Sequence, residues 1–191
     1  MRYFVLIWLA FAAPAAADDA CHDFWFTKNL VLDRAGMCFG TNLGRAIFNN
    51  DNCRTSAPDL SPADQALVDM IETKETALDC KIDNFATQLP VKMVWLRSEL
   101  DTLPIASLTP YTCEDWKGPF TKLYAGVDGK KPRVTGEIED GDDVYFEHEP
   151  NGEWQYVTVR RSLEFLGAGW FSGGVTRDRL RADGLCGDVT D

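Results

Sequence analysis

Hydrophobic positions recur at helical spacing in the first half of the chain and alternate in the second. Phe24, Val31 and Ala35, with Trp25 and Leu32 beside them, predict a first helix over 24–35. Asp23 is expected to cap it, and Gly36 suits the left-handed position that ends it. A short helical turn is expected over 43–48. Ser61-Pro62-Ala63-Asp64 reads as a helix start: a hydroxyl acceptor, a proline in the first turn and an acid at the positive end of the dipole. The apolar residues that follow are Leu67, Ile71, Leu78, Ile82, Phe85 and Leu89, which fall on one helix face. Pro90 disfavours helical geometry at Leu89, so the helix is expected to stop there. Residues 91–100 are apolar and fit a strand or a helix.

Pro104, Pro110 and Pro119 lie in a stretch of little periodicity, and residues 102–119 read as a connection. Beyond it, Leu123-Tyr124, 134–138, 144–146, 154–159 and 167–171 read as short strands. Asp128-Gly129, Asp140-Gly141 and Asn151-Gly152 punctuate them as hairpin turns, where glycine supplies the positive φ. Strands this short and regularly spaced suggest a small barrel. The fold class is therefore α+β: a small helical, disulfide-bonded N-terminal module over 18–104, followed by a β domain over 105–191.

The start of the chain adds a compartment. Arg2, an apolar run over 3–13 and Ala15-Ala16-Ala17 match an export signal cleaved after residue 17. The run is too short for the ~20 residues that span a bilayer. The expected product is periplasmic or secreted, with no membrane span. Cleavage removes Arg2 and takes the net charge from −11 to −12, shared evenly between the two halves. An acidic balance of 30 Asp+Glu against 19 Lys+Arg argues against nucleic acid as a partner. A hydrophobic fraction of 45% argues against disorder.

All six cysteines follow the cleavage site, and an even count in an exported chain reads as disulfides. Six cysteines allow fifteen pairings. The preferred set joins neighbours within each half: Cys38–Cys53, Cys21–Cys80 and Cys113–Cys186. Closing the short Cys38–Cys53 loop is worth about 3 kcal/mol, mainly by restricting the unfolded chain. No C-x-x-C occurs, which weakens zinc and thiol-redox readings.

The run Lys28-Asn29-Leu30-Val31-Leu32-Asp33-Arg34-Ala35-Gly36-Met37-Cys38-Phe39 resembles the YARHG domain, an extracytoplasmic module of bacteria. Asn29, Val31, Arg34, Gly36 and Phe39 fit its pattern. Leu32 stands at the motif's Tyr and Ala35 at its His, so any role needing that His is absent. The likeness extends over about 23–75. The whole chain resembles the DUF4453 family of exported proteobacterial proteins, through Phe24-Trp25-Phe26-Thr27-Lys28-Asn29, the Asp33–Phe39 core and Leu43-Gly44…Cys53. The second half is similar to bacterial SH3 domains at Leu123-Tyr124-Ala125-Gly126-Val127, Ile138…Gly141-Asp142, 152–157 and Gly169-Trp170-Phe171. These resemblances imply an SH3-like β-barrel and a role in binding peptides, wall fragments or proteins.

Few residues carry chemistry of their own. Arg34 offers a guanidinium fork for a ligand, or for carbonyls of the following loop; the second use is preferred. Glu147-His148-Glu149 alone groups metal-ligand types, but a strand turns His148 away from both acids, and a solvated strand end is expected. Asp140-Gly141-Asp142-Asp143 lacks the ligand spacing of a calcium loop and reads as solvated acids. No nucleophile motif surrounds His22 or His148. No catalytic residue, metal or cofactor is expected. Tyr124, Trp154, Tyr156 and Trp170 are the binding candidates, as a groove that stacks on prolines or sugars, with barrel core as the other reading. The expected function is non-catalytic binding in the cell envelope, to a protein or to peptidoglycan. Inhibition of a basic hydrolase such as lysozyme and hydrolysis by a carboxylate pair stand as alternatives.

Overall fold

The computed structural model describes residues 15–128 and 133–190. The expected leader lies outside them except for its last three residues, and so does Gly129 of the first expected turn. The described chain forms α1 (Ala15–Arg34), α2 (Asn42–Ile47), α3 (Pro62–Ala77), α4 (Val94–Arg97), β1 (Ala106–Trp116), β2 (Thr121–Tyr124), β3 (Val134–Ile138), β4 (Asp143–His148), β5 (Trp154–Arg161), β6 (Glu164–Ser172), α5 (Arg177–Ala182) and β7 (Cys186–Thr190).

The helical half follows the sequence signals at its starts and departs from them at its ends. Ser61 caps α3 by accepting from the Asp64 backbone N–H, with Pro62 in the first turn. Gly36 takes φ +91° just beyond α1, where a Cβ would also strike the Arg54 guanidinium. Asp23, however, lies inside α1 rather than at its start. Ala20 and Phe24 pack with Ile71 of α3 and Ala106 of β1, and this burial sustains the earlier turns. The helix expected to reach Leu89 ends at Ala77. Asp79 adopts a left-handed φ of 51°, and Cys80 is drawn to Cys21 on α1. Ile82 and Leu89 still pack beside the Phe26, Phe39 and Phe48 cluster, but from coil, whereas Phe85 of the expected face is exposed.

The second half is one seven-stranded antiparallel sheet, ordered β3-β2-β6-β5-β4-β1-β7. It is curled but open. The end strands do not pair with each other, so the closed barrel expected from strand spacing is not the pairing adopted. The curl still brings Ile138 of β3 and Val189 of β7 into one core with Cys113, Trp116, Val144, Phe146, Val157, Val159 and Phe171. Two glycines permit it: Gly136 on β3 lies against Gly167 on β6, and a Cβ on Gly136 would stand 3.1 Å from the Gly167 Cα. Asp140-Gly141 joins β3 to β4, which are not neighbours, so this turn is a corner and not a hairpin. The segment read as a connection holds β1, the longest strand. Pro110 is tolerated there because the register against β4 shifts between Ala106 and Tyr111, and pairing with β7 begins only at Thr112.

All three disulfides of the preferred set are present: Cys21–Cys80, Cys38–Cys53 and Cys113–Cys186. The first ties α1 to the end of α3, and the last ties β1 to β7. No helix among the described residues is long and apolar enough to cross a membrane.

Candidate functional site

Strand register puts all four candidate aromatics on the outer face of the sheet. Trp170 is paired with both Tyr124 and Tyr156, and Trp154 lies two residues from Tyr156 on the same strand. They pack edge-on, with ring centres 6.3 Å apart for Tyr124–Trp154 and 5.5 Å for Tyr156–Trp170. The platform is covered by this chain's own residues. Leu96 and Leu100 pack on Tyr156 and Trp170, with Met93, Leu103 and Trp154 around them. The Trp170 indole N–H donates to the Thr102 carbonyl at 2.9 Å. Tyr156 and Trp170 are buried, so they form neither an open groove nor the barrel core; they hold the helical half to the sheet. Tyr124 and Trp154 are half-buried at its edge.

Arg34 is engaged within the chain. Its guanidinium donates to the carbonyls of Ser98 (3.0 Å) and Leu100 (2.7 Å), locking the end of α1 to the segment that covers the aromatics.

Beside this contact lies a polar constellation that sequence patterns did not reveal. Arg97, at the end of α4, is 2% exposed. Its guanidinium grips the Asp23 carboxylate with both terminal nitrogens, the Nη2–Oδ1 bond measuring 2.9 Å. Nη2 also donates to the Thr27 hydroxyl at 2.9 Å, and that hydroxyl donates to the Pro104 carbonyl at 3.2 Å. Asp23 and Thr27 meet one arginine because they lie one turn apart on α1. His148 approaches the same carboxylate, with Nε2 3.2 Å from Oδ2. A carboxylate only accepts, so Nε2 carries the proton in this contact. Nδ1 finds no partner among the described residues; neither does the Tyr156 hydroxyl, although the two rings stack edge-on at 4.8 Å.

Burial by itself would raise the Asp23 carboxyl. Arg97 and the hydrogen bond from His148 together outweigh it and hold the group far below the ordinary carboxylate range. Burial would likewise lower the Arg97 guanidinium, and Asp23 more than offsets this. Burial raises the Tyr156 phenol.

The constellation walls a cavity of about 190 Å³ at the seam between α1, α4 and the sheet. Asp19, Asp23, Lys92, Arg97, Glu147 and His148 supply its charged and titratable lining, and Ser107 and Thr158 add hydroxyls. Lys92 pairs with Glu147 at its rim. Glu147 and His148 both line it although they are consecutive. Regular pairing of β4 with β5 stops at Tyr145–Thr158, before both residues. The expected solvated strand end is thus corrected: the His148 side chain is 4% exposed. Asp142 is corrected too, since it is buried and bound by Arg161. No signal in the sequence singles out Arg97, since the run 91–100 also carries Lys92 and Glu99. Among the described residues no group of three or more His, Cys, Asp or Glu is placed to hold a metal ion.

A disulfide-stapled helical unit sealed onto a curled sheet, with a charged cavity at the seam, defines a two-part α+β protein. Comparison with family models places it. The model for the domain of unknown function DUF4453 matches residues 79–182, more than half of the chain, and the YARHG domain model matches residues 2–76. The chain belongs to the DUF4453 family and carries a YARHG domain before that region. The two models meet where α3 ends. No curated protein and no solved structure matches the chain.

Proposed function

We propose that this protein is an exported, non-catalytic binding protein of the bacterial cell envelope that engages a protein or peptidoglycan partner at the seam cavity. The cavity carries the reading. It is small and charged, and its walls come from α1, the coil and helix before β1, and the sheet, so a partner seated there reads both parts of the chain at once. Export is supported by the signal-like residues 1–17 and by three disulfides, which persist in oxidising compartments. The YARHG match supports an extracytoplasmic site of action, periplasmic or secreted. The run β2–β6 carries the motifs that resemble bacterial SH3 domains, and we read the curled sheet as an opened relative of that binding module. Inhibition of a basic hydrolase is a narrower form of the same reading, favoured by the net charge of −11.

Proximity labelling in the native periplasm, paired with sedimentation on purified sacculi, tests this. The wild type is expected to mark a reproducible partner or to sediment. Ser107→Trp, which fills the cavity mouth, is expected to do neither. Equal labelling by the variant would overturn the cavity as the site, and turnover of sacculi by the purified protein would overturn the non-catalytic reading.

A further inference from the structure

The charge lining the cavity is uneven. Asp19, Asp23 and Glu147 face only Lys92 and Arg97, and each of these cations is already committed, Arg97 to Asp23 and Lys92 to Glu147. Asp19 is exposed and has no ion pair or hydrogen bond among the described residues. The buried His148 adds a ring nitrogen, Nδ1, with no hydrogen-bond partner among the described residues. Three carboxylates against two cations favour a donor carrying positive charge.

The rim already displays such a complex. The Lys92 ammonium sits on the Glu147 carboxylate, 4.6 Å from the centre of the Tyr145 ring and 5.7 Å from that of Phe165. A carboxylate flanked by aromatic faces is a favourable seat for an ammonium group. Its occupant is loosely held. Lys92 lies in the coil between α3 and α4, its side chain is 38% exposed, and an exposed ion pair of this kind is worth at most about 1 kcal/mol. About 190 Å³ suits one side chain and not a larger organic ligand.

We propose that the cavity receives the basic side chain of a partner protein, a lysine ammonium that pairs with Asp19 and competes with Lys92 for the seat on Glu147. The inference rests on the reading of the chain as a binding protein and names the chemistry that it recognises. The chain's overall negative charge would speed encounter with a basic surface.

The test uses the exported chain, 18–191, titrated with acetyl-Ala-Lys-Ala-amide and with its norleucine and glutamate counterparts, followed by NMR at His148, Glu147 and Thr158. The lysine peptide is expected to shift these signals, with millimolar, salt-weakened affinity, while the other two leave them in place. Asp19→Asn is expected to weaken binding about two- to fivefold, and Lys92→Met to strengthen it by a similar factor. Both changes are at exposed or rim positions and leave the buried constellation intact. Equal shifts from the norleucine peptide, binding of the glutamate peptide, or unchanged affinity in both variants would overturn the proposal. If the lysine peptide fails while proximity labelling still finds a partner lost in Ser107→Trp, the ammonium chemistry is wrong and the binding function stands. If both fail, both fall.

Discussion

On the inner face of the sheet, Val144, Phe146, Val157, Val159 and Phe171 close an apolar core stapled by Cys113–Cys186. On the outer face, Tyr156 and Trp170 share their covering with a buried Arg97, whose charge is answered by Asp23 and whose neighbour His148 keeps one nitrogen unpaired. The same two strands, β5 and β6, serve both faces. The inner face needs only volume and dryness, because its residues bond to nothing directional. The outer face joins two parts of the chain that meet late in sequence distance, and a buried charge pair fixes how they meet while adding little net stability. A contact of that kind tolerates an adjoining cavity, whereas the inner core does not.

The largest expected effect breaks the outer face. Asp23→Ala strands the Arg97 guanidinium and should cost about 3–5 kcal/mol in chemical denaturation, while Asp23→Leu combined with Arg97→Met should recover most of it. The pair also has a pH signature. The folded Asp23 carboxyl titrates below its ordinary value of 3.8, so its contribution is complete above that pH and is lost as pH falls toward the folded value. Stability measured from pH 6 downward should drop in this range, and the double variant should flatten that drop. On the inner face, Val159→Ala should cost about 2–3 kcal/mol from lost burial and the cavity left behind, with no comparable pH dependence. Arg34→Lys shortens the side chain whose Nη2 serves both the Ser98 and Leu100 carbonyls and should cost about 1 kcal/mol. Smallest is Tyr156→Phe. Its hydroxyl is buried without a partner among the described residues, so its removal should be neutral or stabilising by up to about 1 kcal/mol in thermal melts. Appreciable destabilisation there would show that the hydroxyl is satisfied in solution.

Much of the fold was legible along the chain and less of the site. Period and turn chemistry located α2, the start of α3 and strands β2 to β6, because these depend on neighbours within a few residues. β1 was hidden by Pro110, whose tolerance depends on a register shift against β4. Strand register sets the four aromatics on one face, but what covers Tyr156 and Trp170 is set by Leu96 and Leu100, which precede them by roughly 56 to 74 positions. Asp23 looked like a cap and His148 like a solvated strand end because each partner lies across the seam: Asp23 meets Arg97 at a separation of 74 residues and His148 at 125.

Sequence alone determined the acidic balance, the switch from helical to alternating period, and an even cysteine count divided four and two between the halves. These follow from composition and local periodicity, which need no knowledge of the other half. Only the tertiary structure decided that the sheet curls without closing, that its aromatic face is occupied by the chain itself, and that three residues far apart in sequence wall one charged cavity. Each of those outcomes depends on long-range packing, where burial overrides the local preference of any single segment.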